Sequence, residues 1–296
     1  MAEASNPDQS YSFDADFKDD FNQGMLRMLS EGSSNDVRII LSDGEIMANK
    51  DVLAAQCLYF AANFRFKEQT QKDLDHIEIT ECSKEVMERI IKYLFTGSIK
   101  FKDLGLLQLL ELINQVRAML LKGDLQALVE AYIKDDMLTF DTRDIVCGLK
   151  YLDRFPIDSV NVFLMGGLLV RLPAIAQDDE AISAFSTLSF NIVKEFCYLN
   201  SLFRVYKEIT EMTNNNPTSY QSAIFRCVLA WFNQNKDLCQ EDRKQILDMI
   251  ALDSLPAADL FRLVKPSGLF PDDEVDKRII ECLLERDELK KNHYAN

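Results

Sequence analysis

Histidine is nearly absent from this sequence: His76 and His293 are the only two. They stand far apart, so they cannot form a two-histidine metal site on one helix face, and a cysteine nucleophile would lack a nearby imidazole base. None of the seven cysteines forms a C-x-x-C pair, which removes zinc-ligand spacing and leaves reduced cysteines buried in cores as the expectation. The sequence has no G-x-x-x-x-G-K-[ST] phosphate loop, no strand–G-x-G-x-x-G–helix unit and no G-x-S-x-G elbow. Cations are also short. Lys and Arg total 33 against 48 Asp and Glu, a net charge of −15, so a phosphate backbone would be repelled. The longest nearly apolar run, Val160 to Val170, falls short of the roughly 20 residues that cross a bilayer. The acidic opening Met-Ala-Glu-Ala-Ser predicts neither a secretory signal nor a transit peptide. No Gly-rich repeat of roughly 40–50 residues announces a propeller. The pairs Asp19-Asp20, Asp135-Asp136 and Asp272-Asp273 each sit at a helix boundary, where solvated carboxylates suit the dipole. These absences predict a protein that is not an enzyme, with no metal, no cofactor, no nucleic acid and no membrane.

What is present is an ordinary globular composition, 47% hydrophobic and 27% charged, in a chain long enough for two domains. The stretch from Asn35 to Phe60 packs several elements closely together. Val37, Ile39 and Leu41 alternate against Arg38 and Ser42 as in a strand, Ser42-Asp43-Gly44 is a turn, and Glu45 to Ala48 returns. From Lys50 to Phe60 the period becomes helical. Before it, Phe17, Phe21, Met25, Met28 and Leu29 form one helix face ending at Gly32-Ser33-Ser34. After it, Ala61 to Asp75 is polar and reads as a short helix end and a loop. His76 to Glu81 reads as a third strand, with Ile77 and Ile79 inward. Ser83 is a candidate N-cap, and Met87, Ile90, Ile91 and Leu94 mark a helix stopped by Gly97. Ser98 to Phe101 reads as a further strand. Leu104 to Ile133 reads as helices broken near Lys122-Gly123-Asp124.

From Asp135 onward only helical stripes recur. Loops are expected at Phe155-Pro156, at Pro173 with Gln177 to Glu180, at Asn214 to Ser219, and at Pro266-Ser267-Gly268. Ile224, Val228, Trp231 and Phe232 form a helical face, and Asp272, Asp273 and Glu274 open a last helix.

The order Asp36-Val37, Ala48, Lys50, Leu53-Ala54, Tyr59-Phe60 and then Tyr93-Leu94-Phe95-Thr96-Gly97 resembles the BTB (POZ) domain, with Asn49 where that family usually has His. The stretches around Tyr220 to Trp231 and Leu255 to Phe270 are similar to the BACK domain of the branch without kelch repeats. The resemblance implies an α+β BTB domain, a small sheet with helices, at residues 17–134. An all-α BACK domain at 135–286 follows, with a flexible segment at 1–16 and a tail at 287–296. It further implies a homodimer, with Phe17, Phe21, Met25, Asp36 and Lys50 at the interface and the last two as a charged pair. Phe66 and Glu68 match the hydrophobic-x-Glu motif by which such adaptors bind the N-terminal domain of cullin-3, and helices near Leu152 to Met165 would extend that contact. The spacing from Phe60 to Phe66 is about two residues shorter than in kelch-type members. The implied function is a ubiquitin-ligase adaptor presenting an unidentified protein substrate. The alternative is a dimeric scaffold that binds other partners without cullin. Without a compact Lys/Arg cluster, the default location is cytoplasmic, with the nucleus left open.

Overall fold

The computed structural model describes residues 15–32, 34–70, 75–121, 124–205 and 217–294, the side chains at 15–21, 202–205, 217–219 and 286–294 apart. The chain divides into two compact units, Met1–Tyr132 and Ile133–Asn296.

The first unit is built on a three-stranded sheet of order β2-β1-β3, with β1 Val37–Leu41, β2 Gly44–Ala48 and β3 His76–Glu78. β1 and β2 are an antiparallel hairpin pairing Val37 with Ala48 and Leu41 with Gly44, while β3 runs parallel to β1 with Ile39 opposite Ile77. Val37, Ile39, Leu41 and Ile77 face the core, as the alternation predicts. β3 is shorter than expected, although the Ile79 amide still donates to the Ile40 carbonyl at 2.8 Å. The helices are α1 Ala15–Glu31, α2 Lys50–Gln56, α3 Leu58–Gln69, α4 Lys84–Thr96, α5 Leu106–Ala118 and α6 Leu125–Asp135. Met87, Ile90, Ile91 and Leu94 are buried on α4, and Gly97 closes it in the left-handed conformation at φ 65°. Ser83 occupies the N-cap position, but its hydroxyl is taken by Glu111 at 2.9 Å. The α4 amide at Lys84 is capped instead by Asp43 of the hairpin turn, at 2.8 and 3.1 Å.

Three expectations for this unit are corrected. The helix from Lys50 breaks at Cys57, whose backbone is extended and whose side chain is buried against the Met119 carbonyl. Ala61 to Gln69 is helix rather than loop: its Ala, Arg, Lys, Glu and Gln are good helix formers whose polarity marks an exposed face, while Phe60 and Phe64 bury the other. Ser98 to Phe101 is not a strand, because the Thr96 hydroxyl accepts the Ser98 amide at 3.2 Å and turns the chain. The Lys122-Gly123 break lies outside the described residues.

The second unit is helical throughout its described residues: α7 Thr142–Arg154, α8 Asp158–Ile175, α9 Asp179–Ser186, α10 Phe190–Val205, α11 Pro217–Gln234 and α12 Gln240–Leu247. A 3-10 turn follows at Leu252–Ser254, then short helical pieces with a π-turn stretch at Leu260–Val264, then α13 Asp272–Tyr294. α8 packs on α7 and α11. It is long and apolar enough to pass for a membrane span, yet Leu164, Met165, Leu168 and Leu172 are fully buried, so it serves as a core helix. A Cβ on Gly167 would lie 2.8 Å from the Met137 sulfur, a close approach that glycine permits. Ile224, Val228, Trp231 and Phe232 are buried as their spacing predicts, and the indole donates to the Leu188 carbonyl at 2.8 Å. Cys57, Cys82, Cys197 and Cys227 are buried, but Cys239 is exposed as the α12 N-cap and Cys147 and Cys282 are half-buried. Burial pushes the Cys197 and Cys227 thiols up to about 12, away from the reactive thiolate.

The loop expected at Phe155-Pro156 is present, whereas Pro173, Pro217 and Pro266 lie in helix rather than loop. Pro266 lies within the short helix Lys265–Ser267, and only Gly268 ends it. Pro217 to Ser219 form the first turn of α11, where proline costs no hydrogen bond; Asn214 to Asn216 lie outside the described residues. Pro173 sits inside α8. It has no N–H for the carbonyl four residues back, Leu169, and that carbonyl accepts a hydrogen bond from the Tyr220 hydroxyl of α11 instead. Tyr220→Phe should therefore cost about 1–2 kcal/mol in urea unfolding, and less than about 0.5 kcal/mol in a Pro173→Ala background where a backbone N–H can take over. Burial raises the Tyr220 phenol to about 12. Its contribution should be intact below the ordinary value of about 10 and be lost as pH rises through about 12, followed by phenolate absorbance.

Candidate functional site

The sheet and α2 together place α3. Asn49 caps α2 by accepting from the Val52 amide at 2.9 Å and donates to the Ser34 carbonyl at 2.7 Å. Asp36, one residue ahead of β1, accepts the Lys50 amide at 2.8 Å. The N-terminus of α2 is thus held by two side chains from the hairpin. Asp36 and Lys50 do not form the expected charged pair. An amide at a helix start points back along the axis, toward Asp36, whereas the Lys50 side chain radiates sideways. It crosses the Phe64 ring at 5.3 Å, and its ammonium reaches Glu68 at 2.9 Å. Two residues assigned to different surfaces, Lys50 and Glu68, are therefore one ion pair.

Phe66 and Glu68 lie in the last turn of α3, not in a loop. Phe66 is 56% exposed, while Phe64 is 3% exposed and stacks on Phe60. Lys67, between them, donates to the His76 carbonyl and ties the turn to β3. Leu58, Ala62 and Phe66 fall at i, i+4 and i+8, and all three are exposed, forming an apolar stripe along α3. Leu58 and Ala62 were missed because the helix was ended too early; their spacing to Phe66 was the available signal. Beside Leu58, a groove of about 430 Å³ is lined by Cys57, Tyr93, Leu94 and Leu121.

The dimer residues separate in the same way. α1 packs along α4, and Met25 is half-buried. The Phe17 and Phe21 side chains lie outside the described residues. A second groove, about 510 Å³, runs between α1, β2 and α4 past Leu26, Leu29, Ile46, Met47 and Ile91. Among the described residues no group of three or more His, Cys, Asp or Glu is placed to hold a metal ion.

Residues 25–134 match the model of the BTB/POZ domain. Over 245 residues the chain is 22% identical to human Kelch-like protein 3, covering 82% of this chain and 37% of that protein. It is 22% identical to BTB/POZ domain-containing protein 9 of Drosophila melanogaster over 279 residues, covering 90% of this chain and 33% of that protein. The chain thus spans about a third of the length of the curated relatives it matches. Among solved structures, the BTB domain of zebrafish PATZ1 is 20% identical with a TM-score of 0.34, covering 43% of this chain and 99% of that one. The BTB domain of human Gigaxonin is 22% identical with a TM-score of 0.33, covering 42% of this chain and 98% of that one.

The hydrogen bonds at Lys50 give a direct test in urea unfolding. Lys50→Met and Glu68→Gln should couple by about 0.5 kcal/mol. Lys50→Met and Asp36→Ala should add within about 0.3 kcal/mol, because Asp36 holds the residue-50 backbone amide, which Lys50→Met keeps. Asp36→Ala alone should cost about 1 kcal/mol as a lost cap. The three-stranded sheet, the α4 face closed by Gly97 and the match over residues 25–134 make the N-terminal unit of this chain a BTB/POZ domain, followed by a helical unit that fits the BACK region of the same family.

Proposed function

We propose that this chain is a non-enzymatic adaptor. It pairs with a second copy through its BTB domain and uses α3 to hold the N-terminal domain of cullin-3, so that a bound protein substrate can be ubiquitinated. The observation that carries the reading is the Leu58–Ala62–Phe66 stripe on a helix anchored at both ends, with a carboxylate two residues beyond the exposed Phe66 ring. An apolar side chain already fixed on a rigid element loses little entropy when buried in a partner's groove. Glu68 would either carry Lys50 into the interface or exchange it for a partner donor. The half-buried Met25 and the groove past Leu29 and Met47 support pairing between copies along α1. Burial of Cys197 and Cys227, which pushes their thiols up, counts against those two as nucleophiles.

A second reading keeps the dimer and omits cullin. It is favoured by one specific observation: Glu68 is already satisfied by Lys50 at 2.9 Å, so a partner must compete for it. Calorimetric titration with the cullin-3 N-terminal domain, beside light scattering, separates the two. Binding at one cullin per chain is expected, with Phe66→Ala weakening it by about 2 kcal/mol, or roughly 30-fold. A folded dimer that gives no heat with cullin would establish the scaffold instead.

A further inference from the structure

The helical unit carries a groove that the cullin reading does not use. It lies between α12, the 3-10 turn at Leu252–Ser254 and the residues leading into α13, and encloses about 790 Å³. Its floor is apolar: Leu247, Ile250, Leu252, Leu269 and Phe270 line it, and all but the buried Leu252 are half-buried. Three carboxylates stand around it: Asp248 at the end of α12, Asp253 on the 3-10 turn and Glu274 in the first turn of α13. Asp272 and Asp273 continue the acidic edge. The lining cations are Arg243 and Lys244. Arg243 is turned to its own unit, donating to the Lys236 carbonyl at 2.9 Å and lying 5.8 Å from the Phe232 ring. Arg243 and Lys244 offset two of the three lining carboxylates, and the adjoining Asp272 and Asp273 leave the rim net negative over an apolar floor.

We propose that this groove docks a short basic segment of a partner protein, with apolar side chains seated on Leu247, Ile250 and Leu269 and Lys or Arg set against Asp248 and Glu274. Charge complementarity selects that occupant. A nucleic acid or an anionic lipid surface would meet an edge of its own sign, and a second copy is separated from a basic segment by the light-scattering arm of the test below.

The test is fluorescence polarisation of the full chain with a labelled peptide of about twelve residues, carrying Leu and Phe at i and i+3 with lysines on both flanks. A matched probe has glutamate at every lysine position. The lysine probe should bind about tenfold tighter than the glutamate probe, and its affinity should fall as salt is raised. The Asp248→Lys, Glu274→Gln variant changes only exposed side chains and should lose about tenfold in affinity for the lysine probe. The single Asp248→Asn, milder still, should lose part of that, with circular dichroism checking that both remain folded. Hydrogen exchange should slow at residues 244–253 and 269–274 when the lysine probe is added. Absence of binding by both probes, equal binding by both, or unchanged affinity in the folded variants overturns the proposal. A rise in light-scattering mass that these variants abolish would assign the groove to a second copy and overturn it as well. No cullin is present in this titration, so its outcome is independent of the cullin measurement.

Discussion

The capping of helix starts by the β1–β2 hairpin is the constraint on which the first unit depends. A helix begins with amide groups that its own turns cannot satisfy, and here the hairpin supplies the acceptors. Asp43, at the tip of the turn, takes the first amide of α4, and Asp36 and Asn49, at the base, take those of Lys50 and Val52. Strand register therefore sets where two helices start. Because α3 follows α2 after the single extended residue Cys57, the same caps fix the direction in which Leu58, Ala62 and Phe66 face. An error of one residue in β1 would turn its core face outward and move the caps together.

The second unit meets the opposite problem, carbonyls without amides, and answers it with side-chain donors. The Leu169 carbonyl, deprived by Pro173, takes the Tyr220 hydroxyl. Trp231 closes the Leu188 carbonyl, and Asn235 closes that of Ser186 at 3.2 Å. Arg171 gathers the carbonyls of Met137, Leu138 and Phe140 within 3.2 Å and holds the turn after α6 against α8. Tyr220, Trp231 and Arg171 are amphipathic, so their apolar bodies fill space in the helical array while their tips satisfy carbonyls. A buried carbonyl left without a partner would cost more than the bond itself returns.

This division explains what could be read from the sequence. Periodic features were legible: the alternation of Val37, Ile39 and Leu41, the α4 face from Met87 to Leu94, the Gly97 stop, and the buried row of Ile224, Val228, Trp231 and Phe232. They depend on neighbours a few residues away. What was not legible depends on distant partners. Pro173 looks like a loop until Tyr220, remote in sequence, supplies the missing bond. Ser98 to Phe101 looks like a strand until the Thr96 hydroxyl takes the Ser98 amide and, among the described residues, no strand pairs with it. Polarity in Ala61 to Gln69 conceals a helix that buries Phe60 and Phe64 on one side. The expected Asp36–Lys50 pair failed for a different reason. Residue types can be matched to a family, but whether an amide or an ammonium meets the carboxylate is decided by where a helix begins.

The interaction surfaces carry the same logic into recognition. At physiological salt, exposed charges act over about 8 Å, so the chain's overall acidity cannot choose a partner for α3; it can only slow wrong encounters. Along α3 the cations Lys50, Arg65 and Lys67 outnumber Glu68, so the local field there is positive on an acidic chain. On the proposed reading, selection there would come from the shape of the apolar stripe, from Arg65 and Lys67, and from what a partner offers Glu68. In the helical unit the carboxylates at Asp248 and Glu274 flank apolar side chains directly, within that range of whatever sits on them. Local charge of opposite sign therefore distinguishes that groove from α3. If both proposals hold, one chain would take two partners of different chemistry, one read by an aromatic anchor and one by sign.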